Sequence, residues 1–200
     1  QVQWFTFACT LLRYGVGVEL FVHAPVDIGG ISGLREACSG RSVVLIANHR
    51  TRIDWMFLWG TCFLLRRLGS MKIVLKDSLK KTPGFGWAMQ CFGFIFLSRK
   101  SRDADLAALA RMTSYHCREP GGQGVTLLLF PEGTDLSADN LQRSQAYAKE
   151  RQLQVYEEVL HPKMAGFCTA MEAAGPEVVL LDATIGYVCD MPEQRPSEQE

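Results

Sequence analysis

Ser42-Val43-Val44-Leu45-Ile46-Ala47-Asn48-His49-Arg50-Thr51-Arg52-Ile53-Asp54 is the stretch that decides the fold of this chain. Val43 to Ala47 is a short, unbroken aliphatic run, the pattern of a strand covered on both faces. The polar turn Asn48 to Arg52 follows, and from Asp54 to Leu68 the apolar residues recur as in a helix. Strand, polar turn and helix together make the opening half of a βαβ unit. Working outward, Met71–Lys76, Phe94–Ser98, Val125–Phe130 and Val178–Thr184 read as further strands, and Val18–Ile28 as one broken by Pro25. Asp103–Cys117, Ala138–Arg151 and Met164–Ala174 read as helices, the first amphipathic through Leu106, Leu109, Ala110 and Thr113. Gly121, Gly122 and Gly124 supply a turn into Val125. Such alternation predicts an α/β fold, a mostly parallel central sheet flanked by helices.

The 200 residues suit a single domain spanning 1–200 with its core between 42 and 187. No repeat or linker divides it, and the polar tail MPEQRPSEQE is expected to fray. With 48% hydrophobic and 21% charged residues the chain is no disordered tail. Cys9, Cys38, Cys62, Cys91, Cys117, Cys168 and Cys189 are scattered and odd in number, without C-x-x-C spacing. That excludes a zinc ribbon and a thioredoxin pair, and points to a reducing compartment. G-x-x-x-x-G-K-[ST] and G-x-S-x-G are both absent, which excludes the common phosphate loop and the serine-hydrolase elbow.

The net charge of zero conceals a division: residues 1–100 carry 13 Lys+Arg against 5 Asp+Glu, and 101–200 carry 8 against 16. The basic half is also the aromatic half, which suits an anionic membrane face or a phosphate-bearing ligand better than nucleic acid. Arg13 and Glu19 interrupt the apolar stretch Trp4–Val22, so it is no clean membrane span. The uncharged PGFGWAMQCFGFIFL, Pro83 to Leu97, reads either as an interfacial segment or as a buried turn and strand. With Arg66, Arg67, Lys72, Lys76, Lys80 and Lys81 beside it, it is expected to face anionic lipid.

Chemistry concentrates after the strands. His49 and Asp54 flank one turn, so their side chains can converge; a carboxylate on one imidazole nitrogen leaves the other free to act as a base. Without a serine nearby, that base suits a substrate hydroxyl. A helix-capping Asp beside a packed His would look the same. Phe130-Pro131-Glu132-Gly133-Thr134-Asp135 ends another apolar strand, with Gly133 permitting close backbone approach. Arg99 and Lys100 leave a third strand, placed to meet phosphate. Leu160-His161-Pro162-Lys163 is a rigid turn carrying two candidate cations.

In this order, NHRTRIDWMFLWG, PGFGWAMQ…FIFLSRK, FPEGTD and VLHPK resemble the four blocks of the glycerophospholipid acyltransferases (the 1-acylglycerol-3-phosphate acyltransferase, plsC-like family). The variant FPEGTD with NHRTRIDWMFLW is most similar to the lysocardiolipin acyltransferase branch. The resemblance implies a glycerolipid-acyltransferase-like, membrane-associated fold. It implies transfer of a fatty acyl group from acyl-CoA, as co-substrate, to a lysophospholipid such as lysocardiolipin, lysophosphatidylinositol or lysophosphatidic acid. His49 would be the general base and Asp54 its partner. Arg99, Glu132, Gly133, Thr134 and Asp135 would hold the acceptor, with His161 and Pro162 shaping the site. Backbone N–H groups at the helix start after His49 would hold the oxyanion. No bound cofactor, metal or nucleic acid is expected. The partners would be the two substrates and a membrane surface, of the endoplasmic reticulum, with the catalytic face in a reducing compartment. Family members carry hydrophobic anchors outside this core, so an N-terminal anchor and a C-terminal remainder are expected beyond this stretch. Asp135 stands where many members have Arg, which favours a head group other than a bare phosphomonoester. Two other readings stay open: a CoA-independent transacylase of the tafazzin kind, and a non-catalytic lipid-binding module.

Overall fold

A computed structural model describes residues 21–118 and 124–187. The expectations for residues 4–20, with Cys9 among them, and for Gly121, Gly122, Cys189 and the polar tail lie outside the described residues. In chain order the elements are α1 (Gly30–Cys38), β1 (Val43–Ala47), α2 (Asp54–Leu64), β2 (Met71–Lys76), α3 (Phe85–Cys91), β3 (Ile95–Leu97), α4 (Arg102–Cys117), β4 (Thr126–Leu129), α5 (Ala138–Glu150), α6 (Met164–Ala174) and β5 (Val179–Ala183). The strands form one five-stranded sheet in the order β3-β2-β4-β1-β5, and every pairing is parallel.

Burial on both faces explains why β1 and β4 read as continuous apolar runs. Leu45, Ala47 and Leu128 face a cluster with Leu58, Trp59 and Cys62 of α2 and Met89 of α3. Val44, Leu127 and Leu129 face the other cluster, with Leu109 of α4 and Ala170 of α6. Each fully buried aliphatic side chain of this kind contributes about 1.5–3 kcal/mol. With Ile46 beside Leu129, the carboxyl ends of β1 and β4 emerge together. The Asn48 turn and the Pro131 turn are therefore neighbours in space.

Three local expectations are corrected. Of the stretch expected as a strand over 18–28, residues 21–28 form coil and a turn, and α1 follows. Pro25 has no N–H for a ladder, and its carbonyl instead accepts from Gly30 N at 3.0 Å. Gly33 lets the incoming chain cross α1, where a Cβ would stand 1.6 Å from the Ile28 carbonyl oxygen. The helix after Asp54 stops at Leu64 rather than Leu68, with Arg66 at φ 58° and a 3₁₀ turn over Leu68–Ser70. Pro83–Leu97 is more than a turn and strand: it holds α3 and β3. Gly86 is required there because a Cβ would meet the Lys80 carbonyl oxygen at 2.3 Å, where α3 crosses a 3₁₀ turn over Asp77–Lys81.

Among the described residues no helix is long and apolar enough to cross a membrane.

Candidate active site

The short loop from β1 to α2 turns back on itself, and Asp54 is the residue that organises it. Its side chain is fully buried and accepts from Thr51 N at 3.0 Å and Thr51 Oγ1 at 3.1 Å. Oδ2 also lies 2.9 Å from His49 Nδ1, and the Tyr187 hydroxyl donates to Oδ1. Burial alone would oppose ionisation of this carboxyl. The bonds from His49, Tyr187 and the Thr51 amide outweigh it and hold Asp54 below the usual aspartate range. Burial pushes the Tyr187 phenol far up, and the bond to Asp54 adds to this. Tyr187 is therefore a permanent donor.

His49 follows the end of β1 with its ring stacked on Phe130, centroids 4.1 Å apart and planes at 19°. The Asp54 bond occupies Nδ1, and no described residue bonds Nε2. The side chain keeps 17% of its surface exposed, so Nε2 is the nitrogen a substrate can reach. This is the orientation in which a carboxylate stabilises an imidazolium while the opposite nitrogen takes a proton.

The Glu132 side chain turns inward. It is 6% exposed, and its oxygens accept from His49 N at 2.8 Å and Leu160 N at 2.9 Å. Burial raises its pKa, offset in part by those two backbone bonds. The carboxylate thus ties the β1 turn to the β4 turn and to the loop before α6. Gly133, at φ 76°, lies under the Lys163 side chain, whose Nζ would stand 3.0 Å from a Cβ. Lys163 N donates to the Pro131 carbonyl at 2.7 Å, which fixes this approach. Thr134 Oγ1 donates to Asp135 Oδ1 at 3.2 Å, and Asp135 Oδ2 stands 3.9 Å from Arg52 Nε. Asp135 is not the cap of α5; Ser137 is, accepting from Asn140 N.

His49, Asp54, Glu132, Gly133, Thr134 and Asp135 thus come to one edge of the sheet. Arg99 leaves β3 at the same edge, exposed, at φ 59°, with its N–H on Asp105 Oδ2 at 2.7 Å. Two strands separate β3 from β1, so its backbone stands roughly 14 Å across the sheet from that of the His49 turn. His161 does not join them: its Nε2 pairs with the Gln154 carbonyl at 2.6 Å, and its ring packs on Tyr156 with centroids 4.8 Å apart. Pro162 is exposed beside it. The expectation that helix-start amides hold an oxyanion fails for three of them. Thr51 N bonds Asp54, Ile53 N bonds Thr51 Oγ1, and Asp54 N bonds the Thr51 carbonyl.

Sequence reasoning missed Tyr187 and the purpose of Asn48. Asn48 Nδ2 donates to the Ile185 carbonyl at 3.0 Å and Oδ1 accepts from Ile185 N at 2.7 Å. That pair extends the β1–β5 ladder by a side chain and delivers Tyr187 to Asp54. Only the adjacency of β1 and β5 could have signalled it.

The acyltransferase family model matches residues 28–185, which includes nearly every element of this site. The chain belongs to the acyltransferase family. Lysocardiolipin acyltransferase 1 of Danio rerio is 43% identical over 95% of this chain and 46% of its own length. Lysophosphatidylinositol acyltransferase 10 of Caenorhabditis elegans is 32% identical over 92% of this chain and 45% of its own. A solved structure from Thermotoga maritima, the 1-acyl-sn-glycerophosphate acyltransferase PlsC, aligns with a TM-score of 0.34 and 20% identity over 68% of this chain and 61% of that one. The chain spans about half the length of the curated relatives it matches. Within this acyltransferase domain the His49–Asp54 pair and the Glu132 turn occupy the carboxyl edge of a parallel sheet, where open α/β sheets place their ligands.

Proposed function

We propose that this domain transfers a fatty acyl group from acyl-CoA to the free hydroxyl of a lysophospholipid, working at a membrane surface in phospholipid synthesis or remodelling. The observation that carries the reading is the 2.9 Å bond from His49 Nδ1 to buried Asp54, with Nε2 bonded to no described residue and the side chain 17% exposed. Nε2 removes the acceptor's hydroxyl proton as its oxygen attacks the thioester carbonyl carbon. The new ester C–O bond forms, the C–S bond breaks, and coenzyme A leaves as a thiolate that recovers the proton from the imidazolium. Asp54 holds the ring's orientation and offsets its transient charge. The step involves neither a protein nucleophile nor an acyl-enzyme.

The curated relatives' names, lysocardiolipin and lysophosphatidylinositol acyltransferases, support a lysophospholipid acceptor. Asp135, set beside Arg52, favours a hydroxyl-bearing head group over a bare phosphomonoester, whose dianion it would repel. Arg99, on the same edge but at the outer strand β3, suits the acceptor's phosphate. The endoplasmic reticulum, with the site in a reducing compartment, is the setting we infer.

The test is a panel of lysophospholipids with radiolabelled oleoyl-CoA, comparing wild type with His49→Ala. General-base catalysis supplies ~10²–10⁴-fold, and the variant should lose that much. A folded His49→Ala protein of near-normal rate refutes the mechanism; acyl transfer without release of coenzyme A would assign it to the transacylases instead.

A further inference from the structure

One exposed face of the molecule has no role in the chemistry above. The 3₁₀ turn Asp77–Lys81 and helix α3 stand at the carboxyl end of β2, the same edge as His49. The close approach at Gly86 seats α3 on that turn, with Gly86 and Met89 buried. Phe85 is left 41% exposed and Trp87 72% exposed. Pro83 and Gly84 beside them are exposed too. A folded chain gains nothing by holding a tryptophan in water, and Trp59 of the neighbouring helix is by contrast 5% exposed.

The rim of this apolar surface is basic. Lys76, Lys80, Lys81 and Lys100 are all exposed. Asp77 stands among them, 2.6 Å from Lys80 Nζ, and Asp105 accepts from Arg99 N next to Lys100. The Asp77 pKa is lowered first by the Lys80 hydrogen bond and then by the fields of Lys80, Lys81 and Lys100. Lys100 leaves β3, whose parallel pairing with β2 sets Leu97 beside Lys76, so it emerges at the same edge as the lysines after β2. The aromatic surface also reaches the active site: Phe85 lies 5.7 Å from Trp55 between ring centroids, and Trp55 directly follows Asp54.

The sequence had put Arg66, Arg67 and Lys72 in the same lipid-facing group, and the structure removes them. They line a cleft of about 1020 Å³ at the opposite end of the sheet. Arg67 is 6% exposed and donates to the Cys38, Arg41 and Val125 carbonyls. Lys72 Nζ donates to the Phe92 carbonyl at 2.6 Å.

We propose that the segment from Asp77 to Cys91 docks this domain on an anionic bilayer, with Trp87 and Phe85 at headgroup depth and Lys80, Lys81 and Lys100 against anionic headgroups. An interfacial tryptophan flanked by lysines matches the polarity gradient of a bilayer surface. The orientation sets the His49 edge against the lipid and turns the Arg67 cleft away. Only its purpose, delivery of a lipid acceptor along Trp87, Phe85 and Trp55, rests on the acyl-transfer reading.

The experiment reconstitutes the protein with vesicles of phosphatidylcholine, with or without phosphatidylserine, and omits acyl-CoA. Brominated phosphatidylcholine should quench part of the tryptophan emission, and Trp87→Phe should remove that part. Hydrogen exchange should slow over 77–91 and not over 63–72. Each cation at an anionic surface is worth about fivefold in binding. The triple variant Lys80→Gln, Lys81→Gln, Lys100→Gln should therefore need on the order of a hundredfold more phosphatidylserine-containing vesicles for the same quench. Quenching indifferent to Trp87→Phe, protection confined to 63–72, or a wild type that responds equally to both vesicles overturns the proposal. These readouts are independent of turnover, so their failure leaves the His49→Ala assay, and the acyl-transfer reading, standing.

Discussion

Glu132→Gln separates two roles for the most buried carboxylate of the FPEGTD turn. The substitution preserves shape but leaves one acceptor oxygen where the structure uses two, on His49 N at 2.8 Å and Leu160 N at 2.9 Å. One backbone N–H then faces an amide NH₂, donor against donor, at a site 6% exposed. An orphaned buried donor costs about 1–3 kcal/mol. Some of this is returned, because burial already disfavours the Glu132 charge and holds its pKa up. A net loss near 2 kcal/mol lowers Tm by roughly 4–8 °C in a domain of this size. With His49 less firmly held, kcat should fall while KM for the acceptor changes little, since distorting a catalytic group acts on the chemical step. The assays are thermal unfolding and steady-state kinetics on the same preparation. If Tm were unchanged and acceptor KM rose tenfold or more, Glu132 would be a substrate ligand and the clamp described here would be wrong.

Tyr187→Phe removes a hydrogen bond that helps hold Asp54 ionised; kcat/KM should drop ~2–10-fold with its acidic limb moved to higher pH, and an unmoved pH profile would show the hydroxyl to be structural only. The folded pKa of Asp54 lies below its unfolded value, so its stabilisation is complete above the ordinary aspartate range and is lost as pH falls through the folded pKa. Asp54→Asn should accordingly flatten the loss of stability at acid pH, measured by urea unfolding, while reducing activity nearly as far as His49→Ala. Asp135→Arg should shift the ratio of specificity constants towards lysophosphatidic acid by ~10-fold; since Ser137 caps α5, a lower Tm with an unchanged ratio would end the head-group proposal. Mass spectrometry after quenching with acyl-CoA alone should show an unmodified chain, and a stoichiometric adduct on any Cys would replace direct transfer by a covalent route.

Much of the fold could be read from residues 42 onward, because burial on both faces leaves a continuous apolar signature. Met71–Lys76 and Met164–Ala174 have the boundaries their patterns predict. Helix α1 escaped: it begins after Gly29 at φ 79° without a side-chain cap, and Pro25 among apolar residues resembles a broken strand. Helix α3 escaped because its interior glycine, unfavourable by propensity, is there for the crossing of the Asp77–Lys81 turn.

The His49–Asp54 pair was legible because both residues lie in one local turn, and a turn of a few residues leaves side chains little choice of neighbour. Its surroundings were not legible. Tyr187 reaches Asp54 because β5 pairs with β1, and Glu132 reaches His49 N because β4 pairs with the other edge of β1. The split of one basic sequence run into a lipid-facing group and a carbonyl-capping group was equally hidden. Lys76, Lys80 and Lys81 leave β2 at one end of the sheet, while Arg66, Arg67 and Lys72 enter it at the other. Side-chain chemistry and local spacing are properties of the sequence itself; which end of a strand a charge occupies, and which distant residue hydrogen-bonds to it, follow from strand order and packing, so those were decided by the tertiary structure.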